Sequence, residues 1–167
     1  MTHHADLPHV DLLRLRDRLD PAERARLEEI EEHLQTAVRP RLAPYWDAEE
    51  FAFDLLPGLA GLGLGRLVLD GSSSLFQQLV HAEIARVDLS LSALVGIHNE
   101  LNLGMIAHLG SDAHRDRWQA RLESFESLGA FCLTEPEHGS DVAGGLATTA
   151  TLDGDEWVIR GAKRWIG

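Results

Sequence analysis

Cysteine and basic residues are scarce in this chain of 167 residues. The single cysteine, Cys132, excludes an internal disulfide framework and a metal site built from several thiolates. Lysine and arginine together number 15 against 27 acidic residues, which gives a formal net charge of −12. A chain of this charge repels polyphosphate and anionic lipid, so nucleic acid and membrane surfaces are poor candidate partners.

Long apolar runs and targeting signals are also missing. No apolar segment reaches the length that spans a bilayer, and the first ten residues, MTHHADLPHV, have no basic run followed by an apolar core. We therefore expect a cytoplasmic protein. None of the nine histidines forms the helical pair with an intervening glutamate that a zinc site of that type needs, so no metal is expected.

Helix signals dominate the first part of the chain. Asp20, Pro21 and Glu23 form a helix start, with a capping side chain, a proline at the first helical position and a glutamate three residues after the cap. Apolar residues then recur at three- and four-residue steps as far as Val38, which predicts an amphipathic helix. Further helices are predicted over 75–87 with Ser74 as the cap, over 89–109 with Gly110 at the end, and from Ser111 to Leu122.

The pattern changes from helix to strand after Gly129. Residues 131–134 predict a strand in which Cys132 is packed, and 147–152 with 156–160 predict a hairpin around Asp153 and Gly154. Helices followed by strands indicate an α+β protein. We therefore expect an all-α helical bundle over 1–128 and a separate, incomplete β unit over 129–167.

The segment LTEPEHGSD, residues 133–141, predicts a sharp turn. Pro136 cannot continue a sheet ladder, and Gly139 permits backbone angles that other residues resist. Such a turn exposes backbone amides beside the hydroxyls of Thr134 and Ser140, which suits a phosphate or a carbonyl oxygen. The same residues also suit a loop that caps its own backbone, and the pattern alone leaves both interpretations open.

Residue identities add a resemblance to a known family. LTEPEHGSD followed by TTATLDGDEWVIRGAKRWIG resembles the flavin-binding middle domain of the acyl-CoA dehydrogenases, and RVDLSLSALVGIHNELNLGMIAHLGSDAHRDRW resembles their N-terminal helical domain. The resemblance implies the first strands of a β-barrel-like domain, FAD as cofactor and an acyl-CoA as substrate. In this family a carboxylate removes the α-proton while the β-hydrogen leaves as hydride to flavin N5. The resemblance also implies electron-transfer flavoprotein as the electron acceptor, or oxygen in an oxidase, and a homo-oligomeric full-length form.

The resemblance also implies roles for individual residues. Thr134 would bond the flavin ring, Gly139 and Ser140 would serve the pyrophosphate, and Ser140 would also meet the thioester end of the substrate. Trp165 would pack on the benzenoid side of the flavin. The cofactor-binding residues implied in this way are Phe131, Leu133, Thr134, Gly139, Ser140, Trp165 and Gly167.

Two positions depart from the common family pattern. Gly167 stands where many members carry a threonine, which resembles the branch of glutaryl-CoA-dehydrogenase-like enzymes and short-chain acyl-CoA oxidases. Ser92, on an ungapped pairing, stands where glutaryl-CoA dehydrogenases carry an arginine for the distal carboxylate. A short or branched acyl chain is therefore the expected substrate rather than a glutaryl group.

No catalytic residue is assigned, because the family's catalytic carboxylate lies in a C-terminal helical bundle that this sequence does not contain. Glu135 beside Pro136 is interpreted as structural. We expect the N-terminal portion of an FAD-dependent acyl-CoA dehydrogenase, inactive alone. The alternatives are a non-catalytic flavin-, acyl-CoA- or partner-binding fragment and a decay product without function. Residues 98–100, His-Asn-Glu, either face the acyl pocket or are satisfied polar groups at a domain seam.

Overall fold

A computed structural model describes residues 11–166, and the predicted α+β arrangement is confirmed. Helices occupy the first three quarters of this range, and a two-stranded antiparallel sheet follows. Within the described range the α-helices are α1 (Pro21–His33), α2 (Ala43–Ala48), α3 (Leu56–Gly61), α4 (Ser74–Val87), α5 (Leu89–Gly96), α6 (Gly104–Leu109), α7 (Asp112–Glu123) and α8 (Val142–Gly145). The strands are β1 (Thr149–Asp153) and β2 (Glu156–Arg160), π-helical segments cover Leu34–Val38 and Ile97–Leu103, and 3-10 segments cover Leu15–Arg18, Arg39–Arg41, Phe53–Leu55 and Leu64–Leu69.

The first long helix begins where its capping residues predict. The carboxylate of Asp20 accepts a hydrogen bond of 2.8 Å from the Glu23 amide, and Pro21 is the first helical residue. Leu27 and Ile30 are fully buried on the inner face of α1. The helical path continues as a π-helical segment to Val38, so the predicted end is also confirmed.

The cap of α4 is one residue earlier than predicted. Ser73, not Ser74, accepts a hydrogen bond of 3.1 Å from the Phe76 amide. Ser73 also donates from its amide and its hydroxyl to the Glu23 carboxylate, at 2.6 and 2.9 Å. This second partner, supplied by the first turn of α1, favours Ser73 as the cap and joins the starts of the two helices.

The helix predicted over 89–109 is one continuous helical path with a change of winding. It starts at the cap Asp88, passes through the π-helical segment Ile97–Leu103 between α5 and α6, and ends at Gly110. Ser111 then caps α7, as predicted. The predicted elements are therefore present, while the wider turns in the middle were not anticipated.

The hydrophobic core lies entirely within the helical part of the described residues. Phe76 on α4 is its largest fully buried side chain. Every residue of β1 is exposed, and in β2 only Val158 is half-buried. The hairpin therefore contributes almost nothing to the core. Other fully buried members are Leu27, Ile30, Leu34, Leu59, Leu64, Ile84, Leu91 and Val95.

The predicted hairpin is confirmed, whereas the predicted strand over 131–134 is wrong. β1 and β2 pair from Thr149↔Arg160 to Asp153↔Glu156 around a turn with Gly154 at φ 62°. Residues 131–134 join no ladder, because no neighbouring strand lies beside them within the described range. Cys132 is accordingly exposed rather than packed. Among residues 11–166, no helix has the length and apolar character needed to cross a membrane.

Candidate functional site

The segment after residue 134 turns as sharply as its sequence predicts. The backbones of Glu135 and His138 exchange two hydrogen bonds, of 2.9 and 3.2 Å, across Pro136. His138 Nδ1 then lies 2.7 Å from the carboxylate of Asp141, and this hydrogen bond is the main reason why the pKa of Asp141 is lowered. The chain reverses within four residues and then forms the short helix α8.

Glu135 ties this turn to both ends of the hairpin. Its side chain is only 4% exposed. The carboxylate accepts hydrogen bonds from the amides of Ala147 and Thr148, at 2.7 and 2.9 Å, just before β1. It also accepts one from Lys163 Nζ, at 2.9 Å, just after β2. Three separate segments therefore meet at one buried carboxylate.

These contacts hold Glu135 in its ionised form. The neighbouring Thr148 side chain, then the Ala147 amide and the Lys163 ammonium, hold the pKa of Glu135 well below its ordinary value. A carboxylate with so low a pKa is a weak proton acceptor near neutral pH. The geometry thus agrees with a structural role for Glu135 and argues against a role as a catalytic base.

Two segments far apart in sequence lie side by side next to this carboxylate. The Arg164 amide donates a hydrogen bond of 2.9 Å to the carbonyl of Thr134, and Lys163 Nζ donates one of 3.0 Å to the carbonyl of Leu133. Trp165 follows directly with φ 62°, an uncommon backbone angle for a non-glycine residue. Its indole is 78% exposed, and the Arg164 guanidinium lies 4.4 Å from its ring centre.

The predicted site residues fall on or beside these two segments. Leu133 and Thr134 are half-buried, while Phe131 is 40% exposed. Gly139 and Ser140 are exposed at the end of the turn, and no atom lies within 4 Å of the point where a Cβ on Gly139 would stand. Gly167 lies outside the described residues. The structure places the others, and their roles toward a ligand remain predictions.

Two hydroxyls at the predicted site have no hydrogen-bond partner among the described residues. Within residues 11–166, neither Thr134 Oγ1 nor Ser140 Oγ makes a hydrogen bond. Each therefore has a donor and two acceptor lone pairs available for a ligand. At Gly139 the point where a Cβ would stand is open, so a ligand can approach the exposed backbone closely there.

The polar residues inside the helical part are committed to structural contacts. His98 Nε2 lies 2.8 Å from the carbonyl of Leu122, and Asn99 Nδ2 donates to the carbonyls of Leu64 and Val95 at 2.8 and 2.9 Å. Both side chains are 1% exposed. They connect neighbouring helices of the bundle. Asn99 is therefore a satisfied polar group, whereas His98 is satisfied only at Nε2, because its Nδ1 is buried without a hydrogen-bond partner among the described residues.

Ser92, the residue that departs from the pattern of the glutaryl-CoA dehydrogenases, also makes a hydrogen bond within the helical part. Its hydroxyl donates a hydrogen bond of 3.1 Å to the carbonyl of His81, across the α4–α5 contact. In the part of the chain that the structure describes, no cluster of three or more histidine, cysteine or acidic side chains could hold a metal ion.

Sequence reasoning missed Lys163 as part of this arrangement. Lys163 and Glu135 are 28 residues apart, and no periodic spacing links them. The one available signal was chemical. A buried carboxylate needs a cationic or amide partner, and Lys163 is the only lysine of the chain.

Comparison with known proteins gives the family. Residues 20–126 match the model of the acyl-CoA dehydrogenase N-terminal domain, and residues 130–167 match that of the acyl-CoA dehydrogenase middle domain. The isobutyryl-CoA dehydrogenase of Dictyostelium discoideum is 36% identical over 139 residues, which cover 79% of this chain and 33% of that protein. The human short-chain specific acyl-CoA dehydrogenase is 37% identical over 112 residues, covering 62% of this chain and 27% of that protein.

Solved structures give the same result. The glutaryl-CoA dehydrogenase of Mycobacterium smegmatis superimposes with a TM-score of 0.83 and 32% identity, covering 93% of this chain and 42% of that one. A second structure of a glutaryl-CoA dehydrogenase from this organism, in complex with FADH2, gives a TM-score of 0.85 and 26% identity, covering 93% of this chain and 41% of that one. The chain thus spans about a third of the first curated relative and about two fifths of these structures. On these matches to both domain models and to the solved structures, the chain belongs to the acyl-CoA dehydrogenase family.

Proposed function

We propose that this chain is the N-terminal portion of an FAD-dependent acyl-CoA dehydrogenase and supplies one side of the flavin site. The observation that carries the proposal is the pairing of residues 133–135 with residues 163–165, fixed by the Arg164–Thr134 backbone hydrogen bond and by Lys163. A similar protein is known in complex with FADH2, which supports FAD as the cofactor. When bound, FAD supplies the acceptor for the hydride that leaves the acyl chain.

The residues present fit such a cofactor. The free hydroxyl of Thr134 is available to the flavin ring, and the hydroxyl of Ser140, beside the exposed and open backbone of Gly139, is available to the pyrophosphate. Ser140 would also meet the thioester of the substrate. Neutral donors of this kind can hold an anionic group on a chain whose formal net charge is −12.

Apolar side chains would complete this side of the site. Trp165 presents most of its indole to solvent and would cover the benzenoid part of the flavin and exclude water there. Phe131 and Leu133 would line the isoalloxazine, and Gly167 would lie near its reactive edge. Glu135 does not touch the cofactor in this proposal, because it orients the segments that do.

The substrate we propose is a short or branched acyl-CoA. Relatives of this chain include isobutyryl-CoA and short-chain acyl-CoA dehydrogenases. Ser92 carries no positive charge for the distal carboxylate of a glutaryl group, and its hydroxyl is already bonded to the His81 carbonyl. We also propose electron-transfer flavoprotein as the electron acceptor, or oxygen if the enzyme is an oxidase. The full-length form in this proposal is a homo-oligomer located in the cytoplasm, although several relatives are named as mitochondrial.

We further propose that the 167 residues do not turn over substrate alone. Glu135, the buried carboxylate at the site, is bound by three donors, so it is not available to remove an α-proton. Dehydrogenation needs a carboxylate from polypeptide that corresponds to the unmatched part of the relatives.

A hybrid protein tests this function. Residues 1–167 are joined to the part of the Dictyostelium isobutyryl-CoA dehydrogenase that follows its matched segment, and dye reduction is measured with isobutyryl-CoA and glutaryl-CoA. We expect FAD-dependent reduction with isobutyryl-CoA by the hybrid, little with glutaryl-CoA, and none by the chain alone. Turnover by the chain alone, or a folded and flavin-loaded hybrid without turnover, contradicts the proposal.

A further inference from the structure

A cleft lies between α2, the loop that follows it and the start of α5. Its volume is about 370 Å³, which is in the size range of small-molecule sites. The walls of this α2 cleft come from residues 42–52 and 88–91. These residues lie within the segment 20–126 that matches the N-terminal domain, and none of them belongs to the candidate flavin site. The helical part therefore forms the α2 cleft by itself.

Three aromatic side chains line the α2 cleft, and each is held by a contact of its own. Trp46 Nε1 donates a hydrogen bond of 2.9 Å to the Asp88 carboxylate. The Tyr45 hydroxyl donates one of 2.5 Å to the Asp54 carboxylate. The Phe51 ring packs against a second phenylalanine ring, with the ring centres 4.9 Å apart. The three rings are thus positioned in advance, which lowers the entropic cost of binding a ligand.

The charged side chains that line the α2 cleft are all acidic. They are Glu49, Glu50 and Asp88, and no lysine, arginine or histidine lies among the described residues of its walls. Asp88 is 6% exposed, and the donors that bind its carboxylate, the Leu91 amide at 2.7 Å and the Trp46 indole, are neutral. A cation in the cleft would therefore meet negative charge without a competing positive side chain in the walls.

Glu49 stands at a position that favours glycine. It directly follows α2 with φ 56° and ψ 35°, the left-handed region that glycine adopts most easily at helix ends. Within residues 11–166, neither the Glu49 nor the Glu50 carboxylate makes a hydrogen bond or an ion pair that would account for a glutamate there. A charged side chain kept in an unfavourable backbone conformation at the mouth of a cleft indicates a use for its charge.

We propose that the α2 cleft binds a small organic cation that carries a quaternary ammonium group. The group would lie against the faces of Tyr45, Trp46 and Phe51, because the face of an aromatic ring is negative and attracts cations. Glu49 and Glu50 would supply the compensating charge at the mouth. An inorganic ion fits less well, since no three histidine, cysteine or acidic side chains of the described residues are placed to hold a metal. The proposal depends on neither FAD nor acyl-CoA.

A matched pair of ligands tests the role of the charge. Choline and 3,3-dimethylbutan-1-ol have the same shape, and a carbon atom replaces the charged nitrogen in the alcohol. In an NMR titration of the 15N-labelled chain we expect millimolar binding of choline and about tenfold weaker binding of the alcohol. The indole N–H signal of Trp46 is expected to shift with choline, whereas that of Trp118 on α7 is expected to stay unchanged.

Substitutions test the walls of the cleft. Trp46→Phe keeps an aromatic face and Trp46→Leu removes it, so we expect a small loss of choline affinity in the first variant and a loss of about tenfold in the second. Glu49→Gly removes a carboxylate and suits the left-handed backbone. We expect it to raise the melting temperature and yet to weaken choline binding about threefold. Glu29→Gln, which removes one charge from the exposed side of α1, is the control and is expected to bind choline like wild type.

Several outcomes overturn the proposal. Equal affinity for choline and the neutral alcohol does so, and so does unchanged choline affinity in Trp46→Leu. Equal losses in Glu49→Gly and Glu29→Gln show an effect of net charge rather than of the cleft. The hybrid with the Dictyostelium C-terminal part is titrated in the same way and is expected to bind choline. A folded hybrid that does not bind it shows that the rest of the polypeptide closes the cleft, which also overturns the proposal. The melting temperature of each variant separates lost binding from misfolding.

Discussion

Replacing Asn99 by leucine tests the helical scaffold behind the site. The side chain is 1% exposed, and it bridges the carbonyl of Leu64, at 2.8 Å, and the amide of Val68, at 3.3 Å, from the π-helical segment Ile97–Leu103. Leucine has the same branched side chain of four heavy atoms, so the substitution removes hydrogen bonds without leaving a cavity. The third hydrogen bond, to the carbonyl of Val95, is local and is readily replaced within the helix.

The expected magnitude follows from the two long-range hydrogen bonds. A buried donor or acceptor that loses its partner costs about 1–3 kcal/mol, so the loss of two such bonds in Asn99→Leu is expected to lower the free energy of unfolding by about 2–6 kcal/mol. Urea unfolding followed by circular dichroism measures the change. Asn102→Ala is the matched control on the same segment, because its side chain bonds only the nearby Ile97 carbonyl, at 3.1 Å, and is partly exposed.

The control is expected to cost less than the test substitution by at least about 1 kcal/mol. If Asn99→Leu has the stability of the wild type, Asn99 does not hold the helices together. The interpretation of residues 98–100 as structural groups is then wrong, and a role in the acyl pocket becomes the better explanation.

Three further substitutions address the site and the packing. Glu135→Gln is expected to reduce hydrogen-exchange protection of the Ala147 and Thr148 amides at pH 7. The native pKa of Glu135 is lowered from its ordinary 4.5, so the ionised carboxylate contributes fully to stability above pH 4.5, and this contribution is lost as the pH falls toward the native pKa. The difference in amide protection between Glu135→Gln and wild type therefore shrinks at pH 3. Equal protection in both proteins at pH 7 contradicts this. Gly65→Ala brings a methyl group into contact with a backbone carbonyl at the end of α7, and it is expected to lower the free energy of unfolding by about 2–4 kcal/mol. Gly61→Ala, which meets open space, should instead stabilise by about 0.5–1 kcal/mol in thermal unfolding, and equal effects of the two substitutions refute the packing argument.

Features set by local chemistry were predictable from the sequence. The Asp20 cap depends on residues within four positions of it, and the turn at Pro136 depends on the angles that proline and glycine allow. The hairpin follows from a glycine turn between two β-prone runs. Each of these signals lies within a few residues of the structure that it specifies.

Features set by distant partners were not predictable in the same way. The prediction of a strand over 131–134 is wrong because a strand needs a neighbouring strand to pair with, and β propensity does not supply one. The local sequence predicts Ser74 as the cap of α4, whereas Ser73 is the cap, because Glu23, which binds Ser73, is 50 residues away and gives no local signal. The Glu135–Lys163 contact was missed for the same reason, although it determines how the two segments of the candidate site meet.

The most direct test of the flavin proposal is a titration of the 15N-labelled chain with millimolar FAD, followed by NMR. We expect weak binding, with chemical-shift changes at Thr134, at the amides of Gly139 and Ser140, and at the indole of Trp165. The amides of α1 and α4, which lie in the helical core, are expected to stay unchanged. Absence of changes at the first group, or changes spread over the helical core instead, contradicts the claim that residues 131–140 and 163–165 form one side of an FAD site.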